Sequence, residues 1–230
     1  MSTTDLSTWK PSLVEHLRHH PYFNTLDADR LAALAAQATC HAFAPGEIIF
    51  LEGESCAGLW IIGQGRVKIY RVSPEGSEHI LHLLGPGNSF NDIAALDGGP
   101  NPAHAAALSK VAACVFPHDV LAAAIRRDPD LAMAVIRVIT RRTRSLVQQI
   151  EDLALYSVTT RLARFLLHQA ENPALSGPGI TRATIAAHLA TQPETVSRAL
   201  SALEKSGIIR LDRHRILIVR EDLLRMVALL

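Results

Sequence analysis

The sequence predicts an α+β chain: an N-terminal antiparallel β-roll, one long helix, and a C-terminal pair of short helices followed by a hairpin. Three observations predict it. Short apolar runs punctuated by glycine roughly every ten residues fill positions 41–87. No Gly or Pro falls between Pro129 and Pro173, which leaves room for a long helix. A Thr-led apolar helix, a break, and a second helix opened by Pro lie over positions 181–205.

Composition bounds the rest. With 230 residues, 48% hydrophobic and 20% charged, the chain has material for one large packed domain or two ordinary ones. No apolar run reaches the length of about 18 residues that a membrane helix needs. Met1–Lys10 is polar and lacks a signal-peptide core, so a cytoplasmic location is expected. Cys40, Cys56 and Cys114 are odd in number, widely spaced and form no CxxC pair, which predicts neither a disulfide framework nor a zinc site. The net charge of +1 is unevenly divided. Residues 1–155 carry 13 Lys and Arg against 16 Asp and Glu, hence −3; residues 156–230 carry 10 against 6, hence +4. A basic C-terminal segment suits a nucleic-acid partner for that part alone.

In order along the chain, positions 12–38 read as helical, broken at Pro21 and Asn24. The runs Glu47–Leu51, Leu59–Ile62, Val67–Val72 and His79–Leu84 read as strands, each closed by Gly or a Ser-Pro-Glu-Gly turn. A further strand is expected over Ala105–Phe116. Pro117-His-Asp119 opens helical sequence, and Asp128-Pro-Asp130 reads as a helix start. Beyond it, Ile136, Ile139, Thr143, Leu146, Ile150 and Leu153 follow alternating spacings of three and four, a heptad seam with charged residues off it. That seam suits a two-stranded coiled coil; packing on the roll is the alternative. Val158–Ala170 reads as another helix, and the domains are expected at 1–127, 128–156 and 157–230.

The sharpest motif is Thr181–Leu200, a helix-turn-helix. Thr181 can cap the first helix, Ile185 and Leu189 share one face, and Thr191-Gln192 makes the break. Val196, Leu200 and Leu203 form the inner stripe of the second helix, so Glu194, Ser197 and Arg198 point outward together. A guanidinium can donate twice to guanine, a carboxylate can accept from cytosine, and a hydroxyl adapts. The first turns of the second helix are the part that reaches base edges in this motif. The hairpin Ile208–Val219 forms a wing, whose Arg210, Arg213 and Arg215, with Thr195 and Arg182, are candidates for phosphate contact.

These segments, in this order, resemble the CRP/FNR family of transcription regulators over nearly the whole chain. Gly46–Gly87 is similar to the family's cyclic-nucleotide-binding-like roll, and Leu153–Ala163 resembles the junction between its dimerisation helix and DNA-binding domain. The Glu194-x-x-Ser197-Arg198 triplet is similar to the FNR-type recognition helix. The resemblance implies a winged helix-turn-helix, a homodimer on double-stranded DNA, and RNA polymerase as a further partner. It implies an inverted repeat with half-sites near TTGAT, with Arg198 on guanine, Glu194 on the opposite cytosine and Ser197 beside thymine.

The resemblance also bears on the signal. Members that bind cyclic AMP carry a Gly-Glu pair and an Arg-Ser or Arg-Thr pair in the roll, and a polar Thr-Ser on the long helix. Here Phe90-Asn-Asp-Ile93, Pro102-Ala-His-Ala-Ala106 and Leu146-Val147 stand in those places, so cyclic AMP is not expected. The iron–sulfur branch needs clustered cysteines near the N-terminus; only Cys40 lies in the first 55 residues, so no cluster is expected. A third branch senses nitric oxide or carbon monoxide through haem. Val67–Gly76, with His19-His20 before it, most resembles its nitric-oxide-responsive members, which admits haem as a cofactor. Eight histidines, His16, His19, His20, His41, His79, His82, His104 and His118, precede the long helix, and a neutral imidazole can ligate iron. His79 and His82 fall on opposite faces of a strand and cannot share one iron.

Two other classes fit the sequence less well. A cupin-like metal enzyme needs several His and a carboxylate on adjacent strands, and only Glu78, His79 and His82 offer them, at poor spacing. A cyclic-nucleotide-binding module without a DNA role would leave the helix-turn-helix idle.

Overall fold

A computed structural model describes residues 13–171, 179–212 and 215–230. The chain divides into two compact units, residues 1–71 with 84–145, and residues 72–83 with 146–230.

Helices α1 (Leu13–His19) and α2 (Ala28–Ala36) come first, separated by a turn at Pro21. Asp27 caps α2 through the Arg30 N–H. Among the described residues there follow β1 (Thr39–Phe43), β2 (Ile48–Phe50), β3 (Leu59–Gln64), β4 (Val67–Val72), β5 (Glu78–Leu84), β6 (Ser89–Phe90), α3 (Asp92–Asp97), β7 (His104–Ala107), β8 (Val111–Phe116), α4 (His118–Arg127), α5 (Pro129–Leu155), α6 (Val158–Glu171), α7 (Arg182–His188), α8 (Pro193–Lys205), β9 (Ile209–Asp212), β10 (Arg215–Ile218) and α9 (Glu221–Ala228). The roll is two four-stranded sheets, ordered β1-β8-β3-β6 and β2-β7-β4-β5.

The single strand expected over Ala105–Phe116 is two strands, β7 and β8, belonging to different sheets. The turn between them carries no Gly or Pro to announce it. Close approach replaces composition there: Gly65 has φ +87° and a Cβ on it would collide with the Lys110 carbonyl. Gly58 (φ +136°) meets the Phe116 carbonyl in the same way, so β3 lies alongside β8 with a glycine flanking each of its ends. Strands β1 and β6 and helices α3 and α9 were not expected; each is short.

The absence of a disulfide, expected from cysteine count and spacing, is also corrected. Antiparallel pairing of β1 with β8 sets Cys40 directly opposite Cys114, with Cα atoms 4.0 Å apart, and the two sulfurs are bonded. Spacing of 74 residues hides this pair, because only strand register brings it together.

Two apolar clusters fill the roll. One joins Leu13, Leu17, Phe23, Leu31, Leu59, Cys114 and Phe116 to Leu131, Val135 and Val138 of α5. The other holds Trp60, Ile62, Val67, Phe90, Val111 and Ala113. There Phe90 stacks between Trp60 and Phe50, with centroids 5.9 Å apart on each side.

Asp128 starts α5. One carboxylate oxygen accepts from the Asp130 and Leu131 N–H groups, and the other takes Arg30 at 2.5 Å. These amide bonds first, and Arg30 after them, hold its carboxyl below the usual range.

Candidate nucleic-acid interface

The helix-turn-helix is built as its sequence requires. Thr181 Oγ1 accepts from the Thr184 N–H at 3.1 Å and caps α7. Ile185, Ala186 and Leu189 are buried, and Ala186 lets α8 cross closely. Ala190 takes φ +49° to turn the chain, and Pro193 occupies the first turn of α8, where a missing N–H costs nothing. Val196, Ala199, Leu200 and Leu203 are buried on the inner side of α8. Glu194 and Arg198 are exposed and Ser197 is half-buried. The three share one outward face at the helix start, where two alternating turns leave them unencumbered by the core.

The candidate phosphate residues are partly gathered. Thr195 is half-buried beside Arg198, whose Nη2 reaches Thr195 Oγ1 at 3.5 Å. Arg182 is exposed at the first turn of α7, and Arg210 is exposed on β9. Arg215 stands opposite Asp212 in the β9–β10 register. Arg213 and the wing turn lie outside the described residues. Glu204 steadies the wing by accepting from the Leu211 N–H at 2.8 Å. Helix α9, which packs on α6, holds Leu224 and Ala228 fully buried and backs this unit.

The long helix carries two apolar stripes. Leu131, Ala134, Val135 and Val138 are buried. Ile136, Leu146, Ile150 and Leu153 of the expected seam are exposed, at 54, 43, 67 and 47%. Thr143 is exposed and its hydroxyl donates to the Ile139 carbonyl at 3.0 Å. Ile139 alone turns partly inward and packs against its own roll. Met133, Val147 and Leu155 are exposed beside the seam and were missed, since none falls on a heptad position.

The roll contains a polar node that sequence reasoning also missed. Asp92, 5% exposed, accepts from the Tyr22 hydroxyl at 2.6 Å and pairs with the Arg142 guanidinium. Arg142 Nη2 also donates to Ser89 Oγ and to the Ser89 carbonyl, at 2.9 and 3.0 Å. His20 is buried next to it; burial pushes its imidazole down to about 4, and Nδ1 accepts from the Tyr22 N–H. Burial and then the Asp92 charge push the Tyr22 hydroxyl up. Asn91, at φ +65°, precedes Asp92, and its Nδ2 donates to Asn101 Oδ1 at 2.8 Å.

His16, His19 and His20 line one cavity with Glu15 and Gly87, but its volume is about 180 Å³, below the ~300–1,000 Å³ of ordinary ligand pockets. His118 Nδ1 is bonded to the Ala95 carbonyl and His104 Nδ1 to the Glu52 N–H. No group of three or more His, Cys, Asp or Glu among the described residues is placed to hold a metal ion.

A cyclic-nucleotide-type roll, a long helix and a winged helix-turn-helix define a DNA-binding transcription regulator. Residues 40–128 match the cyclic nucleotide-binding domain and residues 160–227 the Crp-like helix-turn-helix domain. The chain is 32% identical over 203 residues to the CRP-like cAMP-activated global transcriptional regulator of Mycobacterium tuberculosis, covering 85% of this chain and 91% of that one. It is 27% identical over 192 residues to the fumarate and nitrate reduction regulatory protein of Escherichia coli, covering 80 and 76%. Its fold matches FixK2 of Bradyrhizobium japonicum with a TM-score of 0.74 at 24% identity, over 83% of this chain and 96% of that one. The chain belongs to the CRP/FNR family of transcription regulators.

Proposed function

We propose that this regulator works as a homodimer that reads an inverted repeat with half-sites near TTGAT. One observation carries the proposal: Glu194, Ser197 and Arg198 stand outward at the start of α8 while Val196, Leu200 and Leu203 anchor that helix. Arg198 donates to guanine O6 and N7, Glu194 accepts from cytosine N4, and Ser197 sits beside thymine. Thr195, Arg182, Arg210, Arg213 and Arg215 take phosphates and set the register. The exposed stripe of α5 takes a second copy of itself, since a solvated face of that apolar length on one helix is a coiled-coil seam. Pairing two copies spaces the α8 helices by about 34 Å, one DNA turn.

The signal enters through the roll and shifts the packing of the paired α5 helices, a change of population between two arrangements. RNA polymerase is the partner through which bound DNA is read out. The mycobacterial relative is named as cAMP-activated, but the roll of this chain lacks the expected partners for that ligand's phosphate. Pro102–Ala106 offers no guanidinium to a phosphate, Asp92 is already held by Arg142, and Phe50, Phe90 and Trp60 stack inside the roll.

The test is binding of the full chain to a fluorescent duplex carrying the repeat, against one with the guanine of each half-site replaced. Arg198→Ala should cost ~1–3 kcal/mol in specific binding, roughly 5- to 150-fold in Kd, and relax the choice at that guanine. Unchanged specific affinity would remove Arg198 from the interface.

A further inference from the structure

We propose that Cys40 and Cys114 form a reversible thiol–disulfide site through which an oxidant of the peroxide class acts on the packing beneath α5. The two cysteines face each other across β1 and β8 and are bonded, flanked by the Thr39–Val115 and His41–Ala113 pairs. Cys114 is fully buried and Cys40 half-buried. Both belong to the apolar cluster that also takes Leu131, Val135 and Val138 of α5.

Three arguments make this a labile site rather than a structural staple. The proposal rests on the DNA-binding reading, and a protein that works on DNA sits where glutathione and thioredoxin keep thiols reduced; a disulfide there is transient or sensing. Among the described residues, strand β1 lies at the edge of its sheet and pairs with β8 alone, so it can shift when the sulfurs part. Once reduced, the sulfurs stand at van der Waals rather than bonding separation, and the displaced volume falls in a close-packed cluster that transmits it to α5. Cys56 stands apart from the exchange. Its thiol donates to the Gly58 carbonyl at 3.7 Å, and burial pushes it up, so it holds its proton.

The chemistry balances. The Cys40 thiolate attacks one peroxide oxygen and releases water once its proton is counted, leaving a sulfenic acid. The Cys114 thiol attacks that sulfur, the S–S bond forms, and a second water leaves. Two thiols are oxidised and one hydrogen peroxide is reduced to two waters. A dithiol reverses the step through a mixed disulfide on Cys40.

The experiment uses the full chain, prepared reduced, treated with hydrogen peroxide, then returned with dithiothreitol. Alkylation after denaturation should label all three cysteines of the reduced form and only Cys56 of the oxidised one, with a 40–114 cross-linked peptide that dithiothreitol removes. Affinity for the inverted repeat should differ by roughly 5- to 150-fold between the two forms, the usual span of coupled sites. Cys40→Ala, folded by circular dichroism, should lose the response and keep the reduced affinity. Labelling of all three cysteines after peroxide overturns the proposal, and so does a cross-linked form with unchanged affinity. If neither form binds DNA, the regulator reading fails instead; the labelling pattern then decides the redox site, and hydrogen exchange along α5 decides the coupling.

Discussion

Asp92 and Arg142 show how much one residue pair can hold. A carboxylate 5% exposed is stable only with partners, and Tyr22, Ser89 and Arg142 supply them from three separate segments. Removing one member of a buried pair leaves the other uncompensated, which costs more than the pair is worth. Arg142→Leu should therefore destabilise the N-terminal unit by ~3 kcal/mol, at the low end of the range for buried pairs because the guanidinium side chain is 39% exposed. Asp92→Asn together with Arg142→Leu should recover part of that loss. Denaturant midpoints of the three proteins check it; additive losses would show that the two side chains are not coupled. Arg198 has the opposite character, exposed and held by one long contact to Thr195, so its replacement should alter DNA binding and leave the midpoint in place.

Among the elements, α5 does two jobs with two stripes. Its first half buries Leu131, Ala134, Val135 and Val138, and its second half carries the exposed Leu146, Ile150 and Leu153. The heptad spacing revealed the second stripe, and only packing revealed the first, because both obey the same period. Ile139 shows the consequence: it fits the seam by spacing and yet leans on its own roll. In the proposed dimer, Leu146→Glu would put two carboxylates into the centre of the paired seam. It should weaken the dimer by about 2 kcal/mol or more, on the order of 30-fold. Sedimentation at falling protein concentration measures it, and an undiminished dimer would place the interface elsewhere.

For the whole molecule, pH gives the clearest signature. His20 titrates near 4 in the folded chain because burial disfavours its charged form and near 6.5 when unfolded. Above pH 6.5 it is neutral in both states and contributes nothing to the slope. As pH falls from 6.5 toward 4 only the unfolded chain takes up the proton, so stability falls by ~1.4 kcal/mol per pH unit, on the order of 3 kcal/mol in all, and levels off below 4. Urea unfolding at pH 7, 6 and 5 should show this loss, and His20→Gln should remove the His20 share of it, leaving the share of His188, whose imidazole burial also pushes down to about 4. Parallel curves for the two proteins would mean that His20 is solvated in solution. No helix among the described residues is long and apolar enough to cross a membrane.

The sequence by itself determined what local pattern can encode: the capped α7, the Pro-started α8 with its inward and outward faces, the long α5, and the glycine rhythm of the roll. Helical period, caps and turn residues act within a few positions, so they are written in adjacent letters. Tertiary structure alone decided that Ala105–Phe116 splits between two sheets, that Cys40 meets Cys114, and that Asp92 is held by Arg142. Those partners are 74 and 50 residues apart. Their pairing depends on strand register and on the competition of buried polar groups for partners, and neither leaves a mark on neighbouring residues.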